Sequence, residues 1–224
     1  MRRQTTTLIL AAISVLLVSS TSHAAEQGNL LAEVAAETRL NTTFERIVTA
    51  INDKDADQAL SMIDEALKVR PDDVALRNAR AAALIQSERY EEATEVLRGL
   101  LTEDPNLFQA DYNSAEILFL QGKHVEARDQ FERLRTKYGD MPLLRFKILL
   151  CDAISGNNES AQTAARTFRF PTDAPAWYFA YAALAASAGN SAEARRLMDV
   201  ATEIHGKDAT SLFSESIETH MLKN

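Results

Sequence analysis

The sequence predicts an all-α protein assembled from stacked helix-turn-helix units, and three observations lead to that prediction. First, the 224 residues are 46% hydrophobic and include only seven glycines and five prolines, a composition that favours helices over many short strands. Second, small residues recur at a spacing of 34 residues. Third, apolar residues within a repeat follow the i, i+3, i+4, i+7 spacing of one helical face. A disulfide-stapled fold is excluded because Cys151 has no second cysteine to pair with.

The first residues have the pattern of a secretory signal peptide. A basic start at Met1–Arg3 precedes an eleven-residue apolar run, Leu8 to Val18, and small residues follow as far as Ala24. This pattern predicts a signal peptide over residues 1–24, cleaved between Ala24 and Ala25. The apolar run is shorter than the ~20 residues of an ordinary transmembrane helix, although an uncleaved N-terminal membrane anchor is the alternative. We therefore expect a periplasmic or secreted bacterial protein with no membrane insertion after cleavage.

The mature chain is predicted to contain three parts. Residues 25–41 form an N-terminal helical segment, residues 42–206 form the repeat domain, and residues 207–224 form a C-terminal capping helix that covers the open end of the stack. The repeat domain divides into five units, with predicted bounds 42–72, 73–106, 107–140, 141–174 and 175–206.

An alanine at the start of each second helix carries the period. It stands at positions 59, 93, 127 and 161, at intervals of 34, and at position 194 after 33. Gly122, Gly156 and Gly189 mark the turn inside a unit, five residues before the alanine, where a glycine readily ends a helix. Pro71 and Pro105 close the first two units, because proline cannot continue the preceding helix. One helical hairpin cannot bury its apolar face alone, so the units must stack.

These features resemble the tetratricopeptide repeat family. The resemblance lies in the 34-residue period, the small residue that opens the second helix, the large apolar residue four positions later and the proline at the end of the unit. The best local match is Tyr90-Glu91-Glu92-Ala93 with Leu97 and Pro105, and the resemblance covers residues 42–206. It implies a right-handed α-solenoid of about five units. The fourth unit departs from the pattern, with Ala165 where a large apolar residue is expected.

The resemblance also implies a concave groove lined by the first helix of each unit. The fifth, ninth and twelfth positions of a unit would face this groove, and several of them carry aromatic side chains. The residues predicted to form a protein-binding groove are Phe44, Tyr112, Glu116, Phe119, Phe146, Leu150 and Phe179. An exposed strip of this kind favours an apolar helix or extended segment of another protein. The alternative is that these side chains pack between units or lie under the terminal helices.

The sequence offers little support for chemistry. His124, His205 and His220 are far apart and have no cysteine or carboxylate at metal-ligand spacing. Cys151 lies in an apolar helical stretch typical of a buried thiol. We therefore predict no catalytic residue, no metal and no cofactor. The net charge of −8, or −10 once the two arginines of the signal peptide are removed, argues against nucleic acid and anionic membranes as partners.

The sequence thus predicts a non-enzymatic protein that mediates protein–protein interactions, as an adaptor or scaffold for an envelope complex. Two alternatives stay open, a periplasmic chaperone for apolar segments and a non-catalytic subunit of a secretion or polysaccharide export machine. Clamping of a C-terminal carboxylate by lysine and asparagine, another known use of the family, has only Lys147 and Asn113 as candidates and is not supported.

Overall fold

The computed structural model describes residues 42–222, and every regular element in that range is an α-helix. Helix α1 covers residues 42–52. The helices that follow are α2 (Ala56–Val69), α3 (Val74–Gln86), α4 (Tyr90–Glu103), α5 (Phe108–Leu120), α6 (His124–Tyr138), α7 (Pro142–Ile154), α8 (Asn158–Ala165), α9 (Ala176–Ser187), α10 (Ser191–His205) and α11 (Lys207–His220). The predicted signal peptide, its cleavage site and the 25–41 segment lie outside the described residues. Between residues 42 and 222, no helix combines the length and apolar character needed to cross a membrane.

The chain divides into two compact units, one ending at Gln86 and the other beginning at Ser87. The N-terminal unit contains α1, α2 and α3. Its core includes the fully buried side chains of Ile47, Ile63 and Leu84. The Gln86 side-chain amide donates to the Ile51 carbonyl at 2.7 Å, which ties the end of α3 to α1. The boundary between the two units falls between α3 and α4, which the sequence assigns to the second repeat.

In the C-terminal unit, neighbouring helices pack as antiparallel hairpins. Helix α5 packs against α6, α7 against α8, and α9 against α10, while α7 also packs against α6 and α9. The predicted alanines Ala127, Ala161 and Ala194 are fully buried where the paired helices meet. A larger side chain there would push the two helices apart. The all-α helical-repeat fold predicted from the spacing is therefore confirmed.

The turn inside each repeat uses one backbone conformation throughout. Gly122, Gly156 and Gly189 have φ values of 75°, 79° and 77°, and glycine adopts such positive φ values without a steric penalty. Lys54 and Glu88 occupy the same turn in the first two repeats, with φ values of 62° and 59°. These two positions continue the 34-residue spacing, but the predicted turns were identified by glycine alone and therefore did not include them.

The fourth repeat ends irregularly. Helix α8 has only eight residues and stops at Ala165, at the position where the sequence departs from the pattern. Residues 166–175 form turns that include cis peptide bonds before Pro171 and Pro175. Asp173 fixes these turns, because one of its oxygens accepts a hydrogen bond from the Arg169 backbone at 2.8 Å.

The C-terminal helix α11 folds back over the unit. Only Gly206 separates it from α10, with φ 83° and ψ 158°, a region that is essentially restricted to glycine. After this reversal, α11 packs against α7 and α9 as well as α10. Phe213 and Ile217 are buried, whereas Leu212, which the sequence pattern places on the same apolar side of this helix, is 55% exposed. The predicted capping helix therefore exists, and it lies against the first helices of the fourth and fifth repeats.

Candidate functional site

Six of the seven predicted groove residues lie together on the first helices of three consecutive repeats. Tyr112, Glu116 and Phe119 lie on α5, Phe146 and Leu150 on α7, and Phe179 on α9. Phe44 lies on α1, in the N-terminal unit, and is half-buried. We use the term inner face for the surface formed by Glu116, Phe119, Phe146, Lys147, Leu150 and Phe179.

The inner face is covered in this structure. Phe119, Phe146, Leu150 and Phe179 are all fully buried. The cover is α11, so the alternative interpretation, in which a terminal helix lies over these side chains, describes the observed state. The repeat pattern alone leaves exposure of these side chains open, because it does not say where the helix after the last repeat lies.

An aromatic cluster joins α11 to α7 and α9. The ring of Phe213 lies 5.1 Å from the ring of Phe146, in an edge-to-face arrangement. It also stacks on Phe179, with centroids 5.3 Å apart and planes 19° apart. Such pairs contribute about 0.5–1.5 kcal/mol beyond their buried area. Phe213 therefore anchors α11 to both α7 and α9.

A buried cation lies beside this aromatic cluster. Lys147, on α7, is only 1% exposed. Its ammonium donates to Glu116 Oε1 on α5 at 2.7 Å and to Ser216 Oγ on α11 at 2.7 Å. It also lies over the ring of Phe119, 4.8 Å from the centroid. An unpaired buried charge is very unfavourable, so these partners explain how a lysine is accommodated in the interior.

The far end of α11 reaches α5. The His220 ring lies 4.5 Å from the Phe119 ring, and His124 lies 5.2 Å from the same phenylalanine. Burial lowers the pKa of His124. Helix α11 thus contacts side chains of three first helices, from α9 at one end to α5 at the other.

Tyr112 belongs to a different part of the core. Its ring packs against Phe108 and Phe131, with centroids 5.9 Å and 5.8 Å away. Burial, followed by the nearby Glu116 carboxylate, raises the pKa of Tyr112 well above its usual value. The ring therefore joins α5 to α6, and it makes no ring contact with α11 in the described part of the chain.

Sequence reasoning missed the polar centre of this site. The sequence offers Lys147 only as a candidate for a carboxylate clamp, whereas in the structure its ammonium is paired with Glu116. Nothing in the sequence indicates that Ser216 belongs to the site, since a single serine on a helix is common. The amphipathic pattern of residues 207–224 does place Phe213 and Ile217 on one apolar side of the last helix, although nothing local specifies which surface they cover.

A second concave region is lined by α6, α7 and α8 and includes several charged side chains. Asp152 lies at its floor, with a side chain only 3% exposed. Arg128 Nε donates to Asp152 Oδ1 at 2.8 Å, and the Ser160 hydroxyl donates to Oδ2 at 2.6 Å. The buried carboxylate is therefore satisfied by side chains of the protein itself.

The described residues show no arrangement typical of chemistry. No group of three histidine, cysteine, aspartate or glutamate side chains in residues 42–222 could hold a metal ion. Cys151 is fully buried on α7, and burial raises the pKa of its thiol to about 12. A thiol with so high a pKa is a poor nucleophile at neutral pH.

Comparisons with known proteins agree with the helical-repeat geometry. Residues 50–115 and 84–145 each match the tetratricopeptide repeat family. No curated protein is significantly similar to the chain in sequence. Among solved structures, a thermophilic tetratricopeptide repeat protein from Thermus thermophilus superposes with a TM-score of 0.61 at 19% identity, covering 79% of this chain and 98% of that one.

Two further solved structures are similar. A tetratricopeptide repeat protein from Parabacteroides merdae has a TM-score of 0.50 at 14% identity, covering 80% of this chain and 77% of that chain. YrrB, described as a tetratricopeptide repeat protein with an unusual peptide-binding site, has a TM-score of 0.44 at 18% identity, covering 77% of this chain and 90% of its own. At these identities the likeness concerns the fold alone.

Proposed function

We propose that this chain is a tetratricopeptide repeat protein and that it acts as a protein-interaction module without chemistry of its own; residues 50–145 match that family and the fold resembles a solved structure of it. Its binding surface is the inner face of α5, α7 and α9. The partner presents an apolar helix or extended segment, which takes the place that α11 occupies in the free chain. Tetratricopeptide repeats mediate protein–protein interactions generally. The choice of the inner face as the binding surface, and of an apolar segment as the partner, is our proposal.

The observation that carries this proposal is the way α11 lies on the inner face. Phe213 packs between Phe146 and Phe179, Ser216 accepts a hydrogen bond from Lys147, and His220 packs on Phe119. These are the contacts that a helical ligand makes in a groove, with anchors on one helical face. A surface that accommodates one amphipathic helix is suited to accept another of similar pattern.

Two features make α11 replaceable. It is the last described helix, and the single residue Gly206 connects it to α10. Its departure would therefore leave the hairpins of the repeats intact. Detachment of α11 as a unit is a local opening, which requires less free energy than unfolding of the whole domain.

We further propose that the protein works in the bacterial periplasm or after secretion, as an adaptor for an envelope complex. This rests on the sequence of residues 1–24, whose basic start, apolar run and small residues are those of a signal peptide. Fractionation of cells that carry the full-length gene tests it. We expect the protein in the periplasm or medium with Ala25 at its N-terminus, and retention of residues 1–24 on a membrane-bound protein would contradict it.

A cross-linking capture experiment tests the binding proposal. The bait is full-length protein carrying Phe213→Ala and Ile217→Ala, here called the released chain, because these changes remove the apolar anchors of α11. The intact chain and a chain with Leu212→Ala, an exposed position on the same helix, are the matched controls. We expect the released chain to capture a partner from envelope extract in higher yield than either control.

A second bait locates the binding surface. Adding Phe146→Ala and Phe179→Ala to the released chain removes the aromatic side chains of the inner face, while circular dichroism checks that the helices remain. We expect the partner to be lost from this bait. A partner retained at full yield would place the binding surface elsewhere, and many weakly bound proteins instead of one would favour the chaperone alternative.

A further inference from the structure

Helix α11 presents four side chains to the inner face, at the i, i+3, i+4 and i+7 positions of one helical stripe. Three of them fill apolar or aromatic space: Phe213 and Ile217 are buried, and His220 packs on Phe119. The fourth is Ser216, which is 6% exposed. This polar side chain interrupts the apolar stripe because it accepts a hydrogen bond from Lys147.

The ammonium of Lys147 has three partners, which lie on two other helices. The first two are the Glu116 carboxylate and the Phe119 ring, both on α5. The third is the Ser216 hydroxyl, which is supplied by α11 itself. Removing α11 therefore takes one hydrogen-bond acceptor away from a buried cation, and any helix that replaces α11 must supply that acceptor again.

A hydroxyl on a helix suits this position for two reasons. The Ser216 hydroxyl donates its proton to the Leu212 carbonyl at 2.9 Å, so its lone pairs are available to accept from Lys147. In addition, the charge of Lys147 is already balanced by Glu116 at 2.7 Å. A carboxylate in place of the hydroxyl would bury a second negative charge beside Glu116, which like-charge repulsion and desolvation disfavour.

We propose that the inner face selects a partner helix with an aromatic residue, a serine or threonine three positions later and an aliphatic residue directly after it. This inference rests on the proposed function, since it describes the partner of the same surface. The aromatic residue occupies the site of Phe213, between Phe146 and Phe179. The hydroxyl accepts from Lys147, and the aliphatic residue takes the place of Ile217.

Peptide binding to the full-length released chain tests this selection. The probe is a fluorescent peptide with the sequence of residues 207–222, titrated by fluorescence anisotropy. Two further peptides carry Ser216→Ala and Ser216→Asp. We expect the unchanged peptide to bind, and each altered peptide to bind about tenfold more weakly or worse, as for loss of a hydrogen bond to a charged group. Circular dichroism of the three peptides in helix-promoting solvent controls for helix propensity.

A matched groove variant separates recognition of the hydroxyl from general packing. Lys147→Met and Glu116→Gln, introduced together into the released chain, remove the buried ion pair without leaving either charge alone. The ratio of the two dissociation constants, alanine peptide over serine peptide, should then fall to about one, because no ammonium remains to donate to the serine hydroxyl.

The outcomes distinguish the inference from the proposed function. If the serine and alanine peptides bind the released chain equally well, selection by Lys147 is wrong while the binding surface stands. If no peptide binds at all, the proposed function itself is wrong. If the intact chain elutes as a dimer that exchanges α11 between copies, the occupant is a second copy, and the proposal of a separate partner is overturned.

Discussion

The ring of Phe213 stacks on the ring of Phe179, with centroids 5.3 Å apart and planes 19° apart. This contact joins the last described helix to the first helix of the fifth repeat, and it closes the surface that the repeat pattern would leave open. Phe119, Phe146 and Phe179, which are predicted to bind a partner, thus contact the protein's own α11 in this state.

Replacing Phe213 with alanine should loosen α11. Loss of a buried phenylalanine costs about 3 kcal/mol, so hydrogen exchange of residues 207–220 should become faster while α5, α6 and α7 keep their protection. Leu212→Ala, at an exposed position of the same helix, should leave exchange nearly unchanged. Equal protection in the Phe213→Ala chain would mean that the aromatic contact does not hold the helix.

Removing one partner of the buried ion pair should destabilise the protein more than removing both partners. Lys147→Met leaves the Glu116 carboxylate, whose side chain is 18% exposed, without its cation, and we expect a loss of about 3 kcal/mol in the free energy of unfolding. Adding Glu116→Gln to Lys147→Met should recover much of that loss. Urea unfolding of the two variants measures the difference. A double variant no more stable than Lys147→Met would show that the charge left behind is not the cause.

The thiol of Cys151 should be inert in the folded protein. Burial raises its pKa to about 12, so at pH 8 almost no thiolate is present and reagents have no access to the sulfur. A disulfide reagent should react slowly with native protein and stoichiometrically in urea. A chain with Leu212→Cys, at an exposed position, serves as the reactive control. Rapid labelling of Cys151 in the native state would contradict its placement on α7.

The repeated turn offers a test at two equivalent positions. Gly122 has open space around the place of a Cβ atom, so Gly122→Ala should destabilise the protein only through its positive φ, by about 1 kcal/mol. Glu88 has the same turn conformation with φ 59°, and Glu88→Gly should stabilise the protein by ~0.5 kcal/mol. Thermal unfolding measures both changes. An unchanged melting temperature in the Gly122→Ala chain would mean that positive φ carries no cost at this turn.

The helices and their pairing followed from the sequence because the signals are local. Ala127, Ala161 and Ala194 recur at nearly constant spacing, and each marks a place where two helices meet. The Lys54 and Glu88 turns were not predicted, since nothing in these residue types requires positive φ. Ala165 indicated an irregularity at the end of α8, although it did not indicate the length of that helix.

Most residues of the candidate site could be predicted from the sequence, but their burial under α11 could not. Except for Lys147, the positions that form the inner face were identified through the repeat, and they carry the aromatic residues seen there. They are covered by α11, whose Ser216 meets Lys147 across 69 residues of the chain. No local pattern encodes such a pairing, because it depends on the direction that α11 takes after the backbone reversal at Gly206.

Peptide binding by the intact and the released chains tests most directly whether α11 fills the partner's surface. A fluorescent peptide with the sequence of residues 207–222 is titrated into each chain by fluorescence anisotropy. In the intact chain the peptide competes with a tethered helix at an effective concentration of about 1 mM. We expect a peptide of ~10 μM affinity to bind the released chain about 100-fold more tightly than the intact one. Equal binding by both chains would contradict the claim that α11 occupies this surface.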